Sequence, residues 1–230
     1  MKILAIDTSA TSAGVAIVED GKILSESFIN TTLTHSGTLM PMVDCTLKNA
    51  KIELDSIDYF ACSVGPGSFT GIRIGISALK GMADALDKKC LPVSTLEAIA
   101  YNLVGQDVVA VSVMDARCNQ VYCAIFDIDG ETVTRLTDDE AIKIDELAME
   151  LENYDKQIVF VGDGAKLCHG KLGYKMASAA NVYQKASSVA FAAEKQYSED
   201  KLITGEKLVP VYLRLSQAER ELKAKNDLKK

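Results

Sequence analysis

The stretch Gly65-Pro66-Gly67-Ser68-Phe69-Thr70-Gly71-Ile72-Arg73-Ile74-Gly75 constrains this chain more than any other. It follows an apolar, strand-like run from Tyr59 to Val64 and opens a helix-like run from Ile72 to Leu86. Glycines at a strand-to-helix turn let the backbone approach something closely, and a helix start presents free N–H groups. Two readings follow: tight packing of the turn against its own fold, or a cradle for phosphate. The spacing is neither GxGxxG nor GxxxxGKS/T, and Pro66 removes one donor.

Around this turn the chain reads as one plan written twice. Runs at Ile3–Thr8, Ser12–Glu19 and Lys22–Asn30 form a strand meander, with Glu19-Asp20-Gly21 as a turn. A helix from about Thr34 to Asn49, a strand at Ile57–Val64, the glycine turn and its helix to about Asp87 follow. A short strand at Leu91–Val93 and a helix at Leu96–Val104 close the first half. Strands are expected again at Val108–Met114, Gln120–Asp127 and Glu131–Leu136, then a helix at Ile144–Glu152 and a strand at Gln157–Val161. A helix at Ser187–Tyr197 and a final strand at Val209–Leu213 complete the second half, and Gly164–Gln184 reads as mostly irregular. The division expected is 1–105, 106–216 and a polar tail at 217–230, with Gly105-Gln106-Asp107 as the joint. Repeated order of this kind calls for mixed sheets covered by helices.

Both long helices of the first half are apolar on more than one face. Leu39, Val43, Leu47 and Ala50 make one stripe, which Met40 and Met42 extend. Ile72, Ile76, Leu79, Ala83 and Leu86 make another, and Ile74, Ala78, Met82 and Ala85 a third on a different face. One sheet buries one stripe, so the surplus calls either for neighbouring helices or for a partner.

Composition narrows the rest. At 230 residues and 48% hydrophobic, the chain can build a substantial core. A net charge of −7 argues against gripping nucleic acid unaided, because phosphate neutralisation needs a basic face. The basic cluster after Gln217 (Arg220, Lys223, Lys225, Lys229, Lys230) is interleaved with acids and reads as a solvated tail. Six cysteines include no CxxC pair and lie mostly in apolar runs, which points away from zinc and disulfides. No run reaches membrane-spanning length and the start resembles no signal peptide, so a cytoplasmic protein is expected.

The glycine turn, together with Ile3-Leu4-Ala5-Ile6-Asp7-Thr8-Ser9, His35-Ser36, Leu39-Met40-Pro41, Asp115-Ala116-Arg117 and Pro210-Val211-Tyr212-Leu213-Arg214, resembles the motifs of the TsaB family, also called YeaZ. The motifs span nearly the whole chain in the family's order. The resemblance implies an α/β fold of duplicated RNase H-like domains, the plan of the actin/Hsp70/sugar-kinase superfamily. It implies remnant nucleotide loops at Asp7, Thr8 and Ser9, at Asp115 and Arg117, and at Gly162 and Gly164. Each of these also has a plain reading as turn chemistry.

The family's catalytic relative, TsaD, carries an HxxxH metal pair where this chain has Thr95 and Ile99, and neither supplies an imidazole. His35 and His169 are lone histidines, and no GxSxG elbow is present. No catalytic residue and no metal ligand are therefore assigned. The resemblance instead implies a non-catalytic subunit whose two helices, through Leu39, Met40, Met42, Val43, Leu47, Ile74, Ala78, Met82 and Ala85, pair with TsaD or with a second copy. It implies modification of the adenosine next to the anticodon in ANN-decoding tRNAs. TsaC would supply threonylcarbamoyl adenylate, TsaE would dock on the TsaB–TsaD pair, and tRNA would be met only through the complex. No cofactor is required of this chain, with ATP or ADP and magnesium weakly held or at an interface. A small-molecule kinase of the same superfamily and a stand-alone peptidase are the alternatives.

Overall fold

In a computed structural model, residues 1–214 are described. The 217–230 tail lies outside the described residues.

Strands β1 (Lys2–Asp7), β2 (Ser12–Glu19), β3 (Lys22–Asn30), β4 (Tyr59–Gly65) and β5 (Lys89–Ser94) form the first sheet, in the order β3-β2-β1-β4-β5. The second contains β6 (Gln106–Arg117), β7 (Gln120–Gly130), β8 (Thr132–Arg135), β10 (Ile158–Val161) and β11 (Lys175–Met176), in the order β8-β7-β6-β10-β11. Position for position the two orders are the same. In both, the first three strands are an antiparallel meander and the last two join in parallel. Helices α1 (His35–Ala50), α2 (Phe69–Ala85) and α3 (Thr95–Ala100) in the first half correspond to α4 (Ile144–Leu151), α5 (Ala165–Leu172) and α6 (Ala186–Gln196) in the second. The protein is a duplicated RNase H-like α/β fold with mixed sheets, as its element order implies.

Alternation along β1 explains how the first sheet is covered. Leu4 and Ile6 face α1 and α2, packing with Leu39, Val43, Ile72, Ile76 and Leu79. Ile3 and Ala5 face the other way and pack with Val189, Ala190, Ala192 and Ala193 of α6. The last helix of the second half thus completes the core of the first. Conversely α3, through Leu96, Ile99 and Ala100, belongs to the core of the second sheet. A boundary at residue 105 therefore marks a joint in the chain and does not separate two closed cores. Residues 186–214, expected in the second domain, lie largely on the first lobe.

Three further expectations are corrected. Segment 164–184 contains α5 and the two-residue β11, while 177–184 is irregular as expected; the helical period is faint because α5 buries only Ala165 and Cys168, and Gly173 ends it in a left-handed turn (φ +78°). Strand β9 (Glu140–Lys143) pairs with β7, a four-residue element with one buried side chain, Ile142. Val209–Leu213 is not a strand, since its ladder consists of one backbone hydrogen bond, Val211 N to Val64 O at 2.8 Å. Among the described residues no helix is long and apolar enough to cross a membrane.

Candidate functional site

The glycine turn packs onto the end of β1. An added Cβ on Gly67 would lie 2.4 Å from the Ser9 carbonyl oxygen, and one on Gly71 2.0 Å from that of Thr8. Ser68 N donates to Ser9 O at 2.7 Å, and the Ser68 hydroxyl caps α2 by accepting from Gly71 N at 3.2 Å. The close approach that these glycines permit is to the chain itself. Of the two sequence readings, tight packing accounts for them.

The remnant nucleotide loop of the first lobe is likewise turned inward. Asp7 is buried; one carboxylate oxygen accepts from Ser9 N and Oγ (2.9 and 2.8 Å) and the other from Ser63 Oγ (2.5 Å). Burial raises its pKa, while the bonds from Ser63 and Ser9 and the nearby His35 oppose that rise. Thr8 Oγ1 donates to Gly71 O at 2.7 Å. The hydroxyls of Thr8 and Ser9, expected to be available to a phosphate, are already engaged.

Between the lobes lies a cleft of about 420 Å³, lined on one side by Ser9, Ser68 and Phe69 and on the other by Asp115, Arg117 and Asp163. The second side is shaped by the β6–β7 hairpin, whose two-residue turn, Cys118–Asn119, is left-handed throughout (φ +55° and +61°). Asp115 is tied to its own loop, accepting from Arg117 N at 2.7 Å. Gly162 and Gly164 do not line the cleft. They back onto β6, where a Cβ on Gly162 would lie 2.2 Å from Val113 O.

Asp163, between those glycines, reaches the cleft instead and was not singled out from sequence; the pair of glycines around it was the available signal. Its surface is open toward the cleft, yet the enclosing walls desolvate it. Desolvation pushes its pKa up to about 6, aided by the charges of Asp115 and Asp7 and opposed by a 3.3 Å hydrogen bond from Gln184. The motif residues expected to meet a nucleotide are thus occupied by the chain itself: Gly162 lies against backbone and the Thr8 and Ser9 hydroxyls are engaged, while Asp115, Arg117 and Asp163 line the cleft.

Thr95 and Ile99 are buried in the packing of α3. The start of that helix is held by a polar cluster. Arg135 donates to Asp139 (2.6 Å) and Glu97 (3.1 Å), and Ser94 Oγ donates to Asp139 at 2.5 Å. His35 pairs with Ala10 O and His169 with Tyr174 O, each at 2.7 Å. Among the described residues no group of three His, Cys, Asp or Glu side chains is placed to share a metal ion.

On the outer surface, α1 and α2 enclose a groove of about 470 Å³ lined by Leu39, Met40, Thr70, Arg73, Ile74 and Ala78, among others. Met40 is 48% exposed, Ala85 is exposed, and Ile74 and Ala78 are half-buried. The nine residues expected on a partner face are thus divided. Leu39, Met42, Val43 and Met82 are buried, packing with the chain's own core, and Leu47 packs against that core. Sequence periodicity could not separate them, because α2 leans its third stripe partly onto α1 and the sheet. Met82 is the correction with most consequence, since a change there acts on folding first.

A sequence model of the TsaD family, described as tRNA N6-adenosine threonylcarbamoyltransferase, matches residues 22–225. The tRNA threonylcarbamoyladenosine biosynthesis protein TsaB of Bacillus subtilis is 30% identical over 225 residues, covering 95% of this chain and 96% of that protein. The TsaB of Escherichia coli is 30% identical over 231 residues, covering 98% and 100%. The solved structure of YeaZ from Pseudomonas aeruginosa superposes with a TM-score of 0.77 at 25% identity, covering 92% of this chain and 99% of that one. With its duplicated fold, its packed glycine turn and these full-length likenesses, the chain belongs to the TsaB family of tRNA threonylcarbamoyladenosine biosynthesis proteins.

Proposed function

We propose that this chain is the non-catalytic partner subunit that binds and activates TsaD for threonylcarbamoylation of the adenosine next to the anticodon in ANN-decoding tRNAs. The observation that carries the reading is the groove between α1 and α2. Met40, Ile74 and Ala78 offer apolar surface there on rigid helices, where close and adaptable packing suits a sister helix pair. The inward-turned loops of the cleft favour a subunit over the kinase alternative, and Thr95 and Ile99 offer nothing to the peptidase alternative.

The same face would serve a second copy when the chain is alone, giving a two-fold contact. TsaE would join the heterodimer, and tRNA would be met only through the complex. The chain would need no cofactor of its own, ATP or ADP with magnesium belonging to an interface, and it would work in the cytoplasm.

The test is Met40→Glu with Ala78→Glu, read by affinity for purified TsaD and by modification of tRNA in the reconstituted system. The double variant is expected to stay folded, with a small loss of Tm from the half-buried Ala78, and to lose at least tenfold in affinity, because each carboxylate would be desolvated without a partner. Undiminished affinity overturns the assignment of the face. A TsaD fully active without this chain overturns the role.

A further inference from the structure

After α6, which already packs on the first sheet, the chain stays with the first lobe. It runs back along α2 as a strap. Cys90 and Ile203 exchange two backbone hydrogen bonds (2.8 and 3.0 Å), Lys80 of α2 donates to Glu206 O at 3.1 Å, and Leu208 is buried in the core under α2. Val211 N then donates to Val64 O at the end of β4.

The next three residues cross from one lobe to the other. Tyr212 stacks on Phe69 with ring centroids 4.3 Å apart and planes 10° from parallel, and its hydroxyl accepts from Arg73 Nε at 2.6 Å. Phe69 and Arg73 are one helical turn apart, so a single ring grips the first turn of α2. Arg214 Nη1 donates to Ala116 O at 2.8 Å, and Ala116 belongs to the β6–β7 hairpin on the far wall of the cleft.

We propose that Tyr212 and Arg214 form a latch that couples opening of the interlobe cleft to the first turn of α2. The physical basis is the shortness of the link. Drawing the hairpin away from the first lobe must either break the Arg214 bond or pull residues 211–214 with it. The second course unstacks Tyr212 from Phe69 and frees the turn that Arg73 and Phe69 share. The glycine turn beneath cannot absorb the displacement, because Gly67 and Gly71 lie against the Ser9 and Thr8 carbonyls with no slack. The ties made by α3, through Arg135, Glu97 and Asp139, join the lobes elsewhere, and at the cleft itself Ala10 packs into the second lobe's core beside this link. The latch is a property of the chain alone and stands whether or not the α1–α2 groove is a partner face.

Hydrogen exchange of the purified chain, followed in fragments spanning 112–121 and 66–76, tests it. Arg214→Ala and Tyr212→Ala are each expected to speed exchange about three- to tenfold in both fragments, although each side chain touches only one of the two regions. Arg214→Lys, which keeps a donor, should fall between parent and Arg214→Ala. Tyr212→Phe keeps the stack, loses the bond to Arg73, and supplies a milder variant should Tyr212→Ala fold poorly. Acceleration confined to the hairpin for Arg214→Ala and to α2 for the Tyr212 variants would refute the coupling.

Discussion

The two lobes share a strand order and differ in what lies on it. In the second lobe the helices after the meander and after the fourth strand, α4 and α5, have eight residues each. In the first, α1 has 16 and α2 has 17. At 1.5 Å per residue the extra length is roughly 12 Å per helix. Eight residues cover the second sheet, whereas in the first lobe the extra length both buries core side chains, from Ile72 to Ala83 in α2, and adds outer surface. It produces two neighbouring helices with an apolar groove facing outward. A duplicated architecture therefore carries its own control: where one copy exceeds what the other needs, the excess is the place to look for function.

Three measurements break or sharpen that contrast. The largest effect belongs to Gly71→Ala, where the new methyl meets backbone at the end of β1; a loss of about 3 kcal/mol or more in urea unfolding is expected. Gly170→Ala, in α5 with no atom within 4 Å of the new Cβ, should gain about 0.5–1 kcal/mol. Equal responses would end the claim that the first lobe's glycines are there for packing.

A smaller effect concerns the second lobe's wall of the cleft. The Asp163 carboxyl, raised from the ordinary 3.8 to about 6, binds its proton more tightly in the folded chain than in the unfolded one. Its relative contribution to stability is full below about pH 4 and is lost as pH rises through about 6. Asp163→Asn should therefore raise Tm by about 2 °C at pH 7.5 and leave it unchanged near pH 3.8, since contact with solvent in the cleft limits the gain to about 1 kcal/mol. A pH-independent difference in Tm would contradict the assignment.

The smallest effect is kinetic, and here the halves should behave alike. Cys45 and Cys118 are exposed, one in each half. Burial pushes the Cys90 and Cys168 thiols up to about 12 and raises Cys62 and Cys123 as well. Two of the six thiols should react promptly with an aromatic disulfide reagent at pH 8, and the other four only on unfolding. A third fast thiol would show that one lobe opens locally.

Strands β2 and β3 were legible to the residue, because short strand-like runs bounded by the turn at Asp20-Gly21 are local signals. Helix α5 was not, since a helix that buries small side chains leaves little period to read. The nucleotide-like loops were legible as motifs but not as chemistry. Whether Thr8 Oγ1 faces a ligand or Gly71 O depends on where a residue 63 positions away is placed. Likewise Met82 and Ala78 share one helical stripe in the sequence, and only the neighbouring elements make one buried and leave the other half-open.

What the sequence determined by itself was the order of elements, their repetition, the absence of the histidine pair from α3, and the family to which such motifs belong. These rest on short-range periodicity and residue identity, which the chain carries wherever it goes. The tertiary structure alone decided that α3 and α6 each serve the opposite lobe, that the glycines face their own backbone, and that residues 211–214 bridge the cleft. Those outcomes depend on which distant surfaces meet, and burial free energy is set by the meeting, not by either surface alone.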